Sequence, residues 1–211
     1  MSFLSSESVK SELHSNIEPF NPKRVEHGAY EMGLGRQVFT TDKEKPRPVW
    51  PNETITVRPG QMAILLTEEE LILPNNIVGF ISIKAGIKFK GLINISGFHV
   101  DPGYVGHLKF SVYNAGTDNI LLRRKDPTFL VWFSYLDQST GDTYQGKNRN
   151  TDSVSSDDAM RIQGGTPSPH SLEEKIKDLR SDVEYVKKIA NRTVFALIIA
   201  VISLLLRNIL F

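Results

Sequence analysis

Residues 97–114 read GFHVDPGYVGHLKFSVYN. Asp101-Pro102-Gly103 has the composition of a tight turn: the Asp side chain can bond its own backbone, Pro presets φ, and Gly accepts a positive φ. The run that follows, rich in Val, Phe and Tyr, reads as a strand leaving that turn. His99 and His107 flank it. With no Cys and no second acidic residue nearby, they do not make a metal site.

The same grammar extends outward in both directions. ITVRPG, QMAILLT, IVGFISIKAG, GLINISGFHV, GHLKFSVYNAG and FLVWFSYLD are short β-rich runs separated by Pro and Gly punctuation, which argues for an all-β barrel or double-sheet domain. KEKPRPVWPNE is too rich in Pro for a central strand and reads as a loop. SSESVKSELHSN near the start has a brief helical rhythm through Val9 and Leu13. Hydrophobic residues are 40% and charged residues 23% of the 211, a globular balance rather than a disordered one. The net charge of +1 gives no global attraction to nucleic acid or acidic lipid, so ligand electrostatics must be local. The absence of Cys excludes disulfides, a thiolate nucleophile and thiolate metal sites. The N-terminus has neither the basic nor the apolar region of a signal peptide.

The rest of the chain changes character in steps. Residues 148–170 are rich in Ser, Asp, Asn, Gly and Pro and read as a linker, or a tail that orders on binding. In residues 171–192, Leu172, Ile176, Leu179, Val183, Val186 and Ala190 are spaced 4-3-4-3-4. That is a coiled-coil seam; the alternative is one amphipathic helix packed on the domain. Residues 193–211 are expected to be one transmembrane helix, a single-pass C-terminal anchor in the lipid bilayer. Lys187, Lys188 and Arg192 before it would keep the N-terminal domain cytoplasmic. Thr193, Ala196, Ala200, Ser203 and Arg207 fall on one stripe of that helix, suited to helix–helix packing or to lining a pore.

The run at 97–114 resembles the hairpin of the dCTP deaminase and trimeric dUTPase superfamily, on the deaminase side. Other stretches match in the family's order: IEPFNPKRVEHGAYEMGLG (17–35) resembles its opening, ITVRPGQMAILLTEEELILPNNIVGFI (55–81) its middle strands, and Tyr144-Gln145-Gly146-Lys147 its C-terminal KYQGQ-like element. The resemblance covers roughly residues 4–147. It implies a β-domain, 1–147, of jelly-roll or distorted-barrel form with a short N-terminal helix. It also implies a homotrimer whose nucleotide sites are shared between subunits, with Lys84, Lys88, Lys90, His99, Asp101, Tyr104, Ser111, Tyr144, Gln145 and Lys147 as the candidate ligand-binding set. Linking three such domains would raise the effective concentration of the heptad helices.

The departures from the family pattern bear on chemistry. The deaminase Arg-Ser-Ser phosphate cradle and the second Arg after it read Lys84, Ala85, Gly86 and Phe89 here. The Glu that serves as deaminase base is Ser111, and a serine without a partner does not shuttle protons as a tuned carboxylate does. In the KYQGQ-like element Thr143 and Lys147 replace the first Lys and the last Gln. Asp101 is retained; in the dUTPases its counterpart activates water, in the deaminases it contacts the sugar, and as a plain residue it opens the Asp-Pro-Gly turn. The clustered lysines suit an anion such as a nucleotide or short oligonucleotide, and equally a solvated surface. No cofactor is called for, save Mg²⁺ with a bound triphosphate. Three functions follow: a catalytically degenerate, membrane-anchored sensor of such a ligand, with a pore as output in the manner of an anti-phage effector; a tethered dUTPase or dCTP deaminase, with Asp101 the catalytic candidate; or a scaffold that only trimerises.

Overall fold

The computed structural model describes residues 2–146, 149–162 and 169–210. The chain divides into two compact units, Met1–Ser168 and Pro169–Phe211. In chain order the first unit comprises β1 (Ser2–Phe3), α1 (Ser6–Glu12), β2 (Ile17–Glu18), β3 (Val25–Glu26), β4 (Ala29–Thr40), β5 (Arg47–Pro48), β6 (Thr54–Val57), β7 (Met62–Ile72), β8 (Ile77–Ile83), α2 (Ala85–Lys88), β9 (Leu92–Asn94), β10 (His99–Val100), β11 (Val105–Asn114), β12 (Ile120–Arg123), β13 (Pro127–Tyr135) and α3 (Ser156–Ile162). The second unit is α4 (Pro169–Leu210).

The main sheet runs β10-β8-β13-β4-β7-β11-β9, with β6 and β12 paired separately. It curls because β4 serves two neighbours in turn. Ala29–Gly33 pairs with β13, while Leu34 and Val38–Thr40 pair with β7. At the crossover the backbones come too close for a side chain: a Cβ on Gly35 would lie 2.3 Å from the Thr67 carbonyl oxygen. β11 alternates buried and half-buried residues along its whole length, the period-two signature of a strand with one face in the core. Phe110 of β11 stacks on Phe129 of β13 with ring centroids 4.0 Å apart. That pair links β11 and β13, which are not neighbours in the sheet order, and is worth about 0.5–1.5 kcal/mol beyond its buried area. α1 closes one end; Ser5 caps it, and Val9 and Leu13 enter the core.

Two expectations change here. The Ser- and Asp-rich residues 149–162, expected inside a linker, lie on the β-domain. Val154 and Ala159 are buried with Phe39, Ile64 and Leu66 on the outer face of β4 and β7. The transmembrane anchor is corrected: among the described residues no helix is long and apolar enough to cross a membrane. α4 is 42 residues long. Its apolar stretch before Arg207, Val194–Leu206, amounts to roughly 20 Å of helix, against a hydrocarbon core of about 30 Å. Thr193, Ala196, Ala200 and Ser203 are exposed on α4, while the side chain of Arg207 lies outside the described residues. The single-pass, cytoplasm-facing placement, the bilayer partner and the pore reading rested on that anchor and go with it.

Candidate active site

The Asp101-Pro102-Gly103 turn joins β10 to β11. Gly103 has φ +76°, Tyr104 N–H donates to the Asp101 carbonyl at 3.2 Å, and Gly103 N–H donates to the Pro74 carbonyl at 3.3 Å. The segment carrying Tyr144 docks on this turn, with Tyr144 N–H donating to the Pro102 carbonyl at 3.0 Å. A Cβ at Gly103 would meet the Thr143 side chain at 2.6 Å, so Gly there serves the docking as well as the turn.

Together these segments enclose a pocket of about 220 Å³, lined among others by Ser96, His99, Asp101, Tyr104, Lys109 and Tyr144. His99 Nε2 lies 3.1 Å from Asp101 Oδ1, both about half exposed. Tyr104 and Tyr144 face each other at 5.5 Å, tilted by 48°. The Tyr104 hydroxyl donates to the His107 carbonyl at 2.8 Å. Burial pushes its pKa far up, with Tyr144 and Glu70 adding to the effect. It is therefore a fixed hydrogen-bonding group and not an acid in the neutral range.

Of the ten residues marked in the sequence, the fold brings four to this pocket: His99, Asp101, Tyr104 and Tyr144. The lysines go elsewhere. Lys84 forms an ion pair with Glu31. Lys88 donates to Ser82 Oγ at 3.1 Å, and Lys90 lines a separate cavity beside Phe89 and Leu121. Ser111 stands on β11 outside the lining, its carbonyl accepting from Ile95 and Ser96 N–H at 2.8 and 3.3 Å. Gln145 is bonded within its own segment, to Thr143 Oγ1 and Arg149 at 3.1 and 2.6 Å. Lys147 lies outside the described residues.

The sequence reading missed Lys109. It lines the pocket, and its ammonium pairs with Asp158 of α3 at 2.7 Å. The one local signal is a cation between Leu108 and Phe110 in an alternating strand. Its partner is 49 residues away and invisible to any local pattern.

A family model described as dCTP deaminase-like matches residues 3–127. Curated relatives include the dCTP deaminase of Pyrococcus furiosus, 28% identical over 130 residues, 62% of this chain and 81% of that protein. That of Pyrococcus abyssi is 26% identical over 130 residues, covering 62% and 82%. Among solved structures, the 2'-deoxycytidine 5'-triphosphate deaminase from Agrobacterium tumefaciens superposes with a TM-score of 0.54 at 13% identity. The match takes in 63% of this chain and 48% of that one, so this chain spans about half the length of that protein. At that identity the likeness is one of fold. With the motif order, the curled sheet and the family match over more than half its length in agreement, this chain belongs to the dCTP deaminase-like family.

Proposed function

We propose that the β-domain binds a pyrimidine deoxynucleoside triphosphate in the Asp101–Tyr144 pocket and hydrolyses it. Water attacks phosphorus, Asp101 accepts the water proton, and the products are the monophosphate and pyrophosphate. The observation that carries this reading is Asp101 itself, a carboxylate in the pocket wall with His99 at 3.1 Å. A carboxylate with an imidazole beside it can accept a proton and pass it on. Tyr144 offers a ring on which a base can stack. Membership in a family whose curated relatives are dCTP deaminases supports the ligand class. Deamination is a poorer fit, because Ser111 stands at the position of the family's base and outside the pocket lining.

The reading includes self-association. The pocket of about 220 Å³ lies below the roughly 300–1,000 Å³ of ordinary ligand pockets, and in this reading a neighbouring copy borders its open side and completes the site. α4 carries the means: Leu172, Ile176, Leu179, Val183 and Val186 are exposed in the single chain at the spacing of a coiled-coil seam.

A second reading, binding without turnover, is favoured by one observation. Lys84 is engaged by Glu31, and Ala85 and Gly86 beside it carry no hydroxyl. The test is to incubate the full chain with Mg²⁺ and dUTP or dCTP and separate the products by ion-pair chromatography. We expect dUMP and pyrophosphate from dUTP, falling roughly 100-fold in Asp101→Asn. Deaminated product would replace hydrolysis with deamination. Calorimetric binding with no product would establish the second reading, and no binding would remove both.

A further inference from the structure

Lys109 stands where the pocket meets the segment that follows the domain's last strand. Residues 149–162 form a strap along β11. Asn150 N–H donates to the Val105 carbonyl at 2.7 Å, and His107 N–H donates to the Thr151 carbonyl at 2.8 Å. The contact is so close that a Cβ on Gly106 would lie 2.7 Å from the Thr151 nitrogen. Further along, Val154 N–H donates to Gln37 Oε1 at 2.6 Å, and α3 then packs on β7. The charged fastening of α3 is Lys109 to Asp158, with side chains only 15% and 19% exposed.

The two partners are not held equally. Asp158 Oδ2 also accepts from Ser155 N–H at 3.0 Å and Ser155 Oγ at 2.8 Å. Ser155 Oγ in turn accepts from Asp158 N–H at 3.1 Å. This is a reciprocal capping box, which keeps the carboxylate on α3. Lys109 is a point charge on a flexible four-carbon stem. With Lys84 and Lys88 committed elsewhere and Lys90 at another cavity, Lys109 is the lysine of the pocket lining among the described residues.

We propose that Lys109 is the cation that receives the phosphates of a ligand in this pocket, and that Asp158 holds it in reserve until one arrives. Binding exchanges the carboxylate for a more highly charged anion and so unfastens α3. The exchange is feasible because a polyphosphate offers several strong acceptors, while Asp158 keeps its Ser155 donors. The ligand site thereby controls whether α3 is docked, while 149–154 stay held by their bonds to Val105, His107 and Gln37. The inference rests on the nucleotide reading of the pocket, and its test separates the two.

Full-length protein would be titrated by calorimetry with α,β-imido-dUTP, which resists hydrolysis, with deoxyuridine, and with inorganic tripolyphosphate. Hydrogen exchange would be followed across 149–162. Lys109→Met, which keeps the stem's packing, is expected to weaken imido-dUTP roughly tenfold and to leave deoxyuridine unchanged. Asp158→Asn is expected to tighten imido-dUTP roughly three- to tenfold. Imido-dUTP should accelerate exchange at 156–162 in the wild type and not in Lys109→Met. Equal loss of deoxyuridine and imido-dUTP in Lys109→Met, or an unchanged affinity in Asp158→Asn, would overturn the proposal. If imido-dUTP fails to bind but tripolyphosphate accelerates exchange at 156–162, the nucleotide reading falls and the latch stands. If neither anion accelerates that exchange, the latch falls whatever binds.

Discussion

Glu68, Glu69 and Glu70 are consecutive, and strand geometry gives them different environments. Glu69 turns inward and keeps only 3% of its side chain exposed. Arg24 donates to its Oε1 at 2.7 Å, and Gly33 N–H donates to its Oε2 at 2.8 Å. Burial pushes its pKa up; the Gly33 hydrogen bond and Arg24 oppose this but do not overcome it. Arg24→Ala is expected to cost about 3–5 kcal/mol in urea unfolding at neutral pH, because it leaves a buried carboxylate unpaired. Glu69 would then titrate higher still in the folded protein. A raised folded pKa favours the fold below the unfolded value and loses that contribution as pH rises through the folded one. The deficit of the variant should therefore shrink toward pH 4–5. At this scale the sequence is partly legible. Asp101 announces itself through Asp-Pro-Gly, since turn chemistry is local. Glu69 and Lys109 do not, since their environments come from residues that are remote in the chain.

The strands show where a local pattern suffices. β11 was readable because its buried positions alternate without a break. The length of β4 was not, because its two halves pair with different strands. Composition reads residues 149–162 as linker or tail because it outweighs two small apolar residues, Val154 and Ala159, whose burial depends on a face made by Phe39, Ile64 and Leu66. The attachment of this segment is expected to depend on pH. Burial raises the Asp158 pKa, but the Lys109 and Ser155 hydrogen bonds outweigh it, and the net shift is downward. A depressed carboxylate contributes stability above its unfolded value and loses it as pH falls through the folded one. Below about pH 4 α3 is expected to detach ahead of the sheet. Ala159 and Val154 methyl resonances would move first, and Phe110 and Phe129 ring signals last. Simultaneous loss would mean that α3 has no stability of its own to lose.

For the whole molecule, Leu172, Ile176, Leu179, Val183 and Val186 of α4 are exposed in the single chain, and the self-association proposed above uses them as a seam. Leu179→Asp with Val183→Asp places charges at two seam positions. In sedimentation velocity it is expected to reduce an oligomer toward monomer, while the circular dichroism of the β-unit is retained. An oligomer whose sedimentation coefficient is unchanged in this variant would assign self-association to the β-domain, and a wild-type monomer would remove it from the reading.

Hydrophobic alternation, turn residues and motif order need only neighbours in the chain. They were enough to determine a mostly-β domain and the turn that carries Asp101, and the order of the motifs carried the family resemblance that the match over residues 3–127 bears out. The tertiary structure alone decided that Lys84 and Lys88 are spoken for, that Ser111 lies outside the pocket lining, and that residues 149–162 lie along the β-domain with Lys109 paired to Asp158. The physical reason is that a charge is committed by whatever opposite charge the fold brings within a few ångströms. Here those partners, Glu31 for Lys84 and Asp158 for Lys109, are 53 and 49 residues distant.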